Sequence, residues 1–328
     1  MATFTITLPS RGNGGRGARP DLPGFVTDPR GAFGPFDHLL QAGRAAEIAA
    51  FGGALAPFDP RGEESLVAAA SLLRQSRWLR VVAGFHPGIA TPVYAAKISA
   101  SLQRFSGDRL DWLIAVALDP AVARAQGDFL EGADRYARAE EFLTVAKGVW
   151  TQEDYTYDGR FYQVLAGGFL SPLAGRTFPR VHLSGTSKEA LELSARHADV
   201  HIFDPADDIE AVDLPGVTYG LRLPVLARDD DDEAWEVARR LWLRHGGTAD
   251  AFPDPDPRTR LWGGFRSRES GAQGGLVGSY ETVAAGIRDY IDRGVGAFFL
   301  EATPYIEETY RLGERLLPLL AKEGAHVR

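Results

Sequence analysis

Short apolar runs alternate with amphipathic stretches along almost the whole chain, and this alternation limits what it can fold into. The apolar runs include Phe4–Leu8, Leu79–Phe85, Leu110–Ala117, Arg180–Ser184, Asp199–Phe203, Val217–Ala227 and Ala297–Glu301, with a shorter one at Gly52–Pro57. Helical patterns follow them, from Phe36, then over Ser65–Gln75, Pro92–Phe105, Asp134–Trp150, Lys188–His197, Asp231–Leu243, Tyr280–Arg293 and Ile306–Leu320. Strands this apolar are buried on both faces, which requires a parallel sheet covered by helices. Eight such strands, in a chain somewhat longer than the roughly 250 residues usual for the fold, predict one (β/α)8 TIM barrel with insertions spanning residues 1–328. A doubly wound sheet is the rival, but no Gly-x-Gly-x-x-Gly joins an early strand to a helix.

Two segments break the alternation. Tyr155-Thr-Tyr-Asp-Gly-Arg-Phe-Tyr162 places Asp-Gly between aromatic residues and predicts a hairpin within an insertion at 151–179. The stretch 246–278, rich in Gly, Pro, Asp and Arg, predicts a lid-like insertion. The Gly-rich segment after Leu8 lacks the Gly-Lys-Ser/Thr of a phosphate loop and reads as a loop.

Composition narrows the function. With 36 Lys and Arg against 44 Asp and Glu, the formal charge is −8, so no basic footprint exists for nucleic acid or anionic lipid. The absence of cysteine removes disulfides, thiolate metal sites and a cysteine nucleophile. No apolar run reaches the roughly 20 residues of a membrane span, and the start of the chain lacks the basic and apolar regions of a signal peptide. A cytoplasmic enzyme is expected. No metal site is expected either, since His182 and His201 stand without spaced partners.

Barrel catalysts lie where strands end. Ser184-Gly-Thr-Ser187 leaves one strand and enters a helix, where backbone N–H groups, hydroxyls and the helix dipole could hold an anion. The same residues could equally form an ordinary N-cap. His86 ends the strand Leu79–Phe85 and could exchange a proton near neutral pH, or be a satisfied core histidine. Arg222 interrupts the apolar strand Val217–Ala227, so it must face either an acid or an anionic ligand.

Several ordered segments resemble the bacterial luciferase-like flavin monooxygenases, most closely the alkanesulfonate monooxygenase branch. They are Leu8-Pro-Ser-Arg-Gly-Asn-Gly14, Asp134–Leu143, Tyr157–Tyr162, Pro179–Ser187, Gly220-Leu-Arg-Leu223, Asp232–Ala238, Leu276–Ser279 with Thr282-Val-Ala284, and Gly294–Leu300 with Glu307–Arg311. The resemblance implies a (β/α)8 barrel that takes reduced FMN from a separate reductase and uses O2 to oxygenate a small organic substrate. It also implies that Ser184, Gly185, Thr186, Ser187 and Tyr136 bind the cofactor. Arg222 would be catalytic, meeting an anionic substrate or the flavin peroxide, and Arg11 and Arg268 would bind substrate; His86, at its strand end, is the further catalytic candidate. The branch has Cys, His and Tyr where this chain has Gly62, Pro224 and Thr303. Two alternatives stand beside this reading: an F420-dependent oxidoreductase of the same superfamily, and a non-catalytic flavin- or metabolite-binding relative. A homo-oligomer, dimer or tetramer, is expected.

Overall fold

The computed structural model describes residues 2–10, 35–267 and 274–321. Its strands are β1 (Thr3–Thr7), β2 (Gly53–Ala56), β3 (Arg80–Phe85), β4 (Leu110–Ile114), β5 (Tyr155–Asp158), β6 (Gln163–Gly167), β7 (Arg180–Ser184), β8 (Val200–Phe203), β9 (Thr218–Arg228), β10 (Leu276–Ser279) and β11 (Val295–Glu301). Its helices are α1 (Pro35–Ile48), α2 (Ser65–Gln75), α3 (Pro92–Ser106), α4 (Pro120–Ala125), α5 (Ala133–Thr151), α6 (Lys188–His197), α7 (Asp231–Arg244), α8 (Tyr280–Asp292), α9 (Tyr305–Arg311) and α10 (Leu317–Ala321). The strand order β9-β11-β1-β2-β3-β4-β7-β8, with β8 also paired to β9, is that of a (β/α)8 barrel, and β10 is added beside β9. No helix among the described residues is long and apolar enough to cross a membrane.

The chain divides into two compact units, one of Met1–Ala54, Phe203–Asp213 and Thr218–Arg328, the other of Leu55–Ile202 and Leu214–Val217. In the first, β10, β9, β11 and β1 run parallel. Arg222 stands opposite Phe299 and Pro224 opposite Glu301. Leu221, Leu223, Phe298 and Leu300 are fully buried, as a strand covered by helices requires. Residues 276–279 correct the expected insertion, because Leu276–Gly278 belong to a strand whose register pairs Leu276–Ser279 with Val225–Arg228. The described residues 246–267 are anchored by Trp262 and Phe265, which pack against Leu226, Ala234, Ala238 and Val277. A π-helical turn at Leu312–Leu316 interrupts the final helix expected as continuous.

In the second unit, β3, β4, β7 and β8 are parallel and β5 pairs antiparallel with β6, forming the hairpin. Its core is aromatic. Trp112 packs edge-on to Phe85 and Phe178, and its indole N–H donates to Ser99 Oγ at 2.8 Å, so a large side chain is buried with no polar group left over. Gly148 lets the hairpin seat on α5, since a Cβ there would lie 2.2 Å from Tyr155 Cζ. Helix starts follow the sequence: Thr91 caps α3 with Pro92 behind it, and Asp230 accepts the Glu233 N–H at 2.7 Å to start α7.

This unit also buries histidines. Burial alone pushes the His201 imidazole down to about 4, and burial followed by the charges of Lys147 and Arg196 pushes His197 down to about 4. The fold therefore favours the neutral rings, while the unfolded chain protonates from near 6.5 downward. Stability should be fully present above that pH and decline progressively as the pH falls to about 4. For His201 the full shift corresponds to ~3 kcal/mol at 1.36 kcal/mol per pH unit. Urea unfolding from pH 7 to 4 checks this. His201→Gln should flatten part of the slope, and an unchanged slope would contradict the assignment.

Candidate functional site

The exit of β7 is built for close approach. Gly185 has φ 108°, a conformation open to glycine and strained for other residues. Ser187 caps α6, its side chain accepting the Ala190 N–H at 3.2 Å, so the expected N-cap is present. Ser184 and Thr186 are exposed, and their hydroxyls make no hydrogen bond among the described residues. A Cβ at Gly185 would sit 3.2 Å from Ala190 Cβ and 4.0 Å from the Tyr136 hydroxyl. The fold thus brings the Tyr136 hydroxyl beside the turn, with the exposed Ser184 and Thr186 at the start of the ten-residue helix α6. Such an arrangement can hold an oxyanion.

His86 has a different setting. Its Nδ1–H donates to the Ala115 carbonyl at 2.8 Å, and its Nε2 lies 2.7 Å from Asp128 Oδ2. Arg138 reaches both oxygens of the same carboxylate, Nη1 to Oδ1 at 2.9 Å and Nη2 to Oδ2 at 2.7 Å, with Nη2 also 3.0 Å from His86 Nε2. Burial pushes the Asp128 carboxyl up, but hydrogen bonds from Arg138, the Leu130 N–H and His86 outweigh it and hold the group at about 2. His86 is 1% exposed and both ring nitrogens are engaged by the protein. His86, Asp128 and Arg138 tie the exit of β3 to the segment before α5 and to α5 itself. The sequence reading missed Asp128 and Arg138, which lie 42 and 52 positions from the histidine.

Arg222 lies on β9, and its neighbours Leu221 and Leu223 are fully buried. Its Nε and Nη2 both donate to Asp204 Oδ1, at 2.9 and 2.7 Å. Burial opposes the guanidinium charge, but Asp204, then Glu301 and Asp207, more than restore it and push its pKa up. The anion that this buried arginine demanded is thus Asp204. That residue directly follows β8, a strand end, so the rule that singled out His86 also points to it. Arg222 and Asp204 keep 35% and 32% of their side chains exposed, leaving the pair accessible from one side. Arg11 and Arg268 lie outside the described residues.

The Asp128 centre can be tested directly. Asp128→Asn leaves the Arg138 and His86 contacts without their carboxylate in a buried place, and should cost about 3–5 kcal/mol in unfolding free energy, as for other broken buried ion pairs. A loss below ~1 kcal/mol in denaturant unfolding would contradict the centre as an organising element, since that is the range of exposed pairs.

Comparison with known proteins agrees with this architecture. Residues 3–297 match the luciferase-like monooxygenases. A long-chain alkane monooxygenase is similar in fold at 14% identity and TM-score 0.75, with 99% of this chain and 92% of that chain covered. A riboflavin lyase, solved with modified FMN and riboflavin, is similar at 15% identity and TM-score 0.73, covering 100% and 93%. A coenzyme F420-dependent tetrahydromethanopterin reductase from Methanopyrus kandleri is similar at 13% identity and TM-score 0.69, covering 97% and 99%. These likenesses show the fold, and the family match over nearly the whole length shows more: the chain belongs to the luciferase-like monooxygenase family.

Proposed function

We propose that this protein is an FMN-dependent monooxygenase that uses O2 to oxygenate a small organic substrate, with reduced flavin supplied by a separate reductase. The observation that carries the reading is the glycine turn at the β7 exit. FMN ends in a phosphate, and the residues present fit one: open hydroxyls on Ser184 and Thr186, a glycine whose missing side chain permits close approach, a Tyr136 hydroxyl beside it, and N–H groups at a helix start. When bound, reduced flavin supplies the electrons that activate O2.

The chain's own groups do the rest. Ser184, Gly185, Thr186 and Tyr136 hold the phosphate, while Ser187 keeps the helix start in place through its cap. The pinned His86-Asp128-Arg138 centre fixes the start of α5, the helix that carries Tyr136. Arg222, bonded to Asp204, presents with it a fixed dipole whose orientation needs no rearrangement during reaction. Residues 246–267 of the insertion before β10 serve as a lid that keeps water from the reacting groups.

Fluorescence titration with FMN and with riboflavin, which lacks the phosphate, separates phosphate binding from ring binding. In Ser184→Ala/Thr186→Ala, FMN affinity should fall about 10- to 100-fold, the range of one or two hydrogen bonds to a charged group, with riboflavin affinity unchanged. An equal loss for both ligands, or none for FMN, would remove the assignment. Tighter binding of F420 than of FMN by the unaltered protein would favour the deazaflavin reading.

A further inference from the structure

We infer that the group this enzyme oxygenates lies in an uncharged substrate, and that Asp204 is the residue that excludes anionic ones; the inference rests on the proposed monooxygenase function. A lone arginine on an apolar strand is the usual way to receive a sulfonate or carboxylate. Here the guanidinium is already committed. Two of its N–H groups, from Nε and Nη2, converge on one oxygen of Asp204 at 2.9 and 2.7 Å. An incoming anion would either displace that carboxylate or approach within its repulsive field, at the short distances where like charges disfavour binding most.

The backbone that carries Asp204 is held in place. The Asp204 N–H donates to Asp207 Oδ2 at 2.7 Å, which also places a second carboxylate in the neighbourhood. The preceding residue, Phe203, is buried and packs edge-on to Tyr219 with ring centroids 5.3 Å apart, and the Tyr219 hydroxyl donates to the Val212 carbonyl at 2.6 Å. The following residue, Pro205, accepts the Tyr290 hydroxyl at 3.3 Å. The segment after β8 is therefore fastened on both sides of the carboxylate. Asp207 and Glu301 act on the same guanidinium, so its positive charge is answered from within the protein before any ligand arrives. What the pair offers is a fixed dipole, with donors remaining on the guanidinium and a second oxygen on Asp204. Such a group can orient a hydroxyl or carbonyl, and it has no net positive charge with which to capture a sulfonate.

The test uses calorimetric titration of the full chain, with and without FMN, by a chain-matched pair: 1-octanol and 1-octanesulfonate. The unaltered protein should bind the sulfonate at least about tenfold more weakly than the alcohol, and Asp204→Asn and Asp204→Ala should gain about tenfold or more in sulfonate affinity, the effect expected from removing a close like charge. Adding Arg222→Met to either variant should abolish the gain. Asp207→Asn, which leaves the Arg222–Asp204 contact in place, should show a smaller gain and serves if the Asp204 variants do not fold. Sulfonate binding by the unaltered protein that matches the alcohol and is lost in Arg222→Met would overturn the inference. So would variants that gain no sulfonate affinity, whichever probe the unaltered protein binds. Because the readout is binding, it fails separately from the function: an enzyme that oxygenates octanesulfonate would refute the exclusion of anions and leave the monooxygenase standing.

Discussion

Parallel strands buried on both faces leave polar side chains almost nowhere to stand except where the strands end, and the placement of chemistry in this protein follows from that constraint. His86 follows β3, Ser184 ends β7 and Asp204 follows β8. Two of them are met at once by a partner. His86 has Asp128 and the Ala115 carbonyl, and Asp204 has Arg222 and Asp207. Arg222 is a cation within a strand, and it is tolerated because its guanidinium reaches a carboxylate at the neighbouring strand's end. Arg228 obeys the same rule at the end of β9, where Glu308 accepts from both its terminal nitrogens at 3.0 and 2.9 Å.

The difference between these partnerships separates scaffold from site. Around Asp128, His86 and Arg138 converge on one carboxylate in a buried place, which rigidifies the surrounding elements. Around Gly185 the opposite holds: a backbone shape accessible to glycine, hydroxyls without partners among the described residues, and a helix start. Open donors at a preorganised turn are what an anionic cofactor tail requires, and a flavin-dependent family is where such a turn is expected to be used. Arg222 and Asp204 stand between these extremes, bonded to each other yet about one-third exposed.

Much of the fold was legible because local pattern and tertiary role coincide. β3 and β4 are apolar runs because helices cover them, and Asp158-Gly159 turns the hairpin for local reasons. β10 escaped because Leu276–Ser279 is four residues long, follows a Gly-rich stretch, and becomes a strand only by pairing with the end of β9. α4, six residues capped by Asp119, is too short for its periodicity to register. In the site, Ser184–Ser187 was readable since strand, glycine, hydroxyls and helix are contiguous in the chain. Arg222 announced that it needed an anion without saying which. The Asp128 centre was invisible, because a carboxylate before a helix gains meaning only when the fold carries His86 and Arg138 to it.

Isotope labelling of the oxygen atom tests the central claim most directly. FMN-loaded protein, reduced without air and then mixed with 18O2 and a panel of neutral organic compounds, should yield a product carrying one 18O atom per molecule, as monooxygenation requires. If the reduced flavin is instead reoxidised with all the labelled oxygen recovered as peroxide or water across the panel, while reduced F420 supports hydride transfer to a carbonyl compound, the account given for this protein is contradicted.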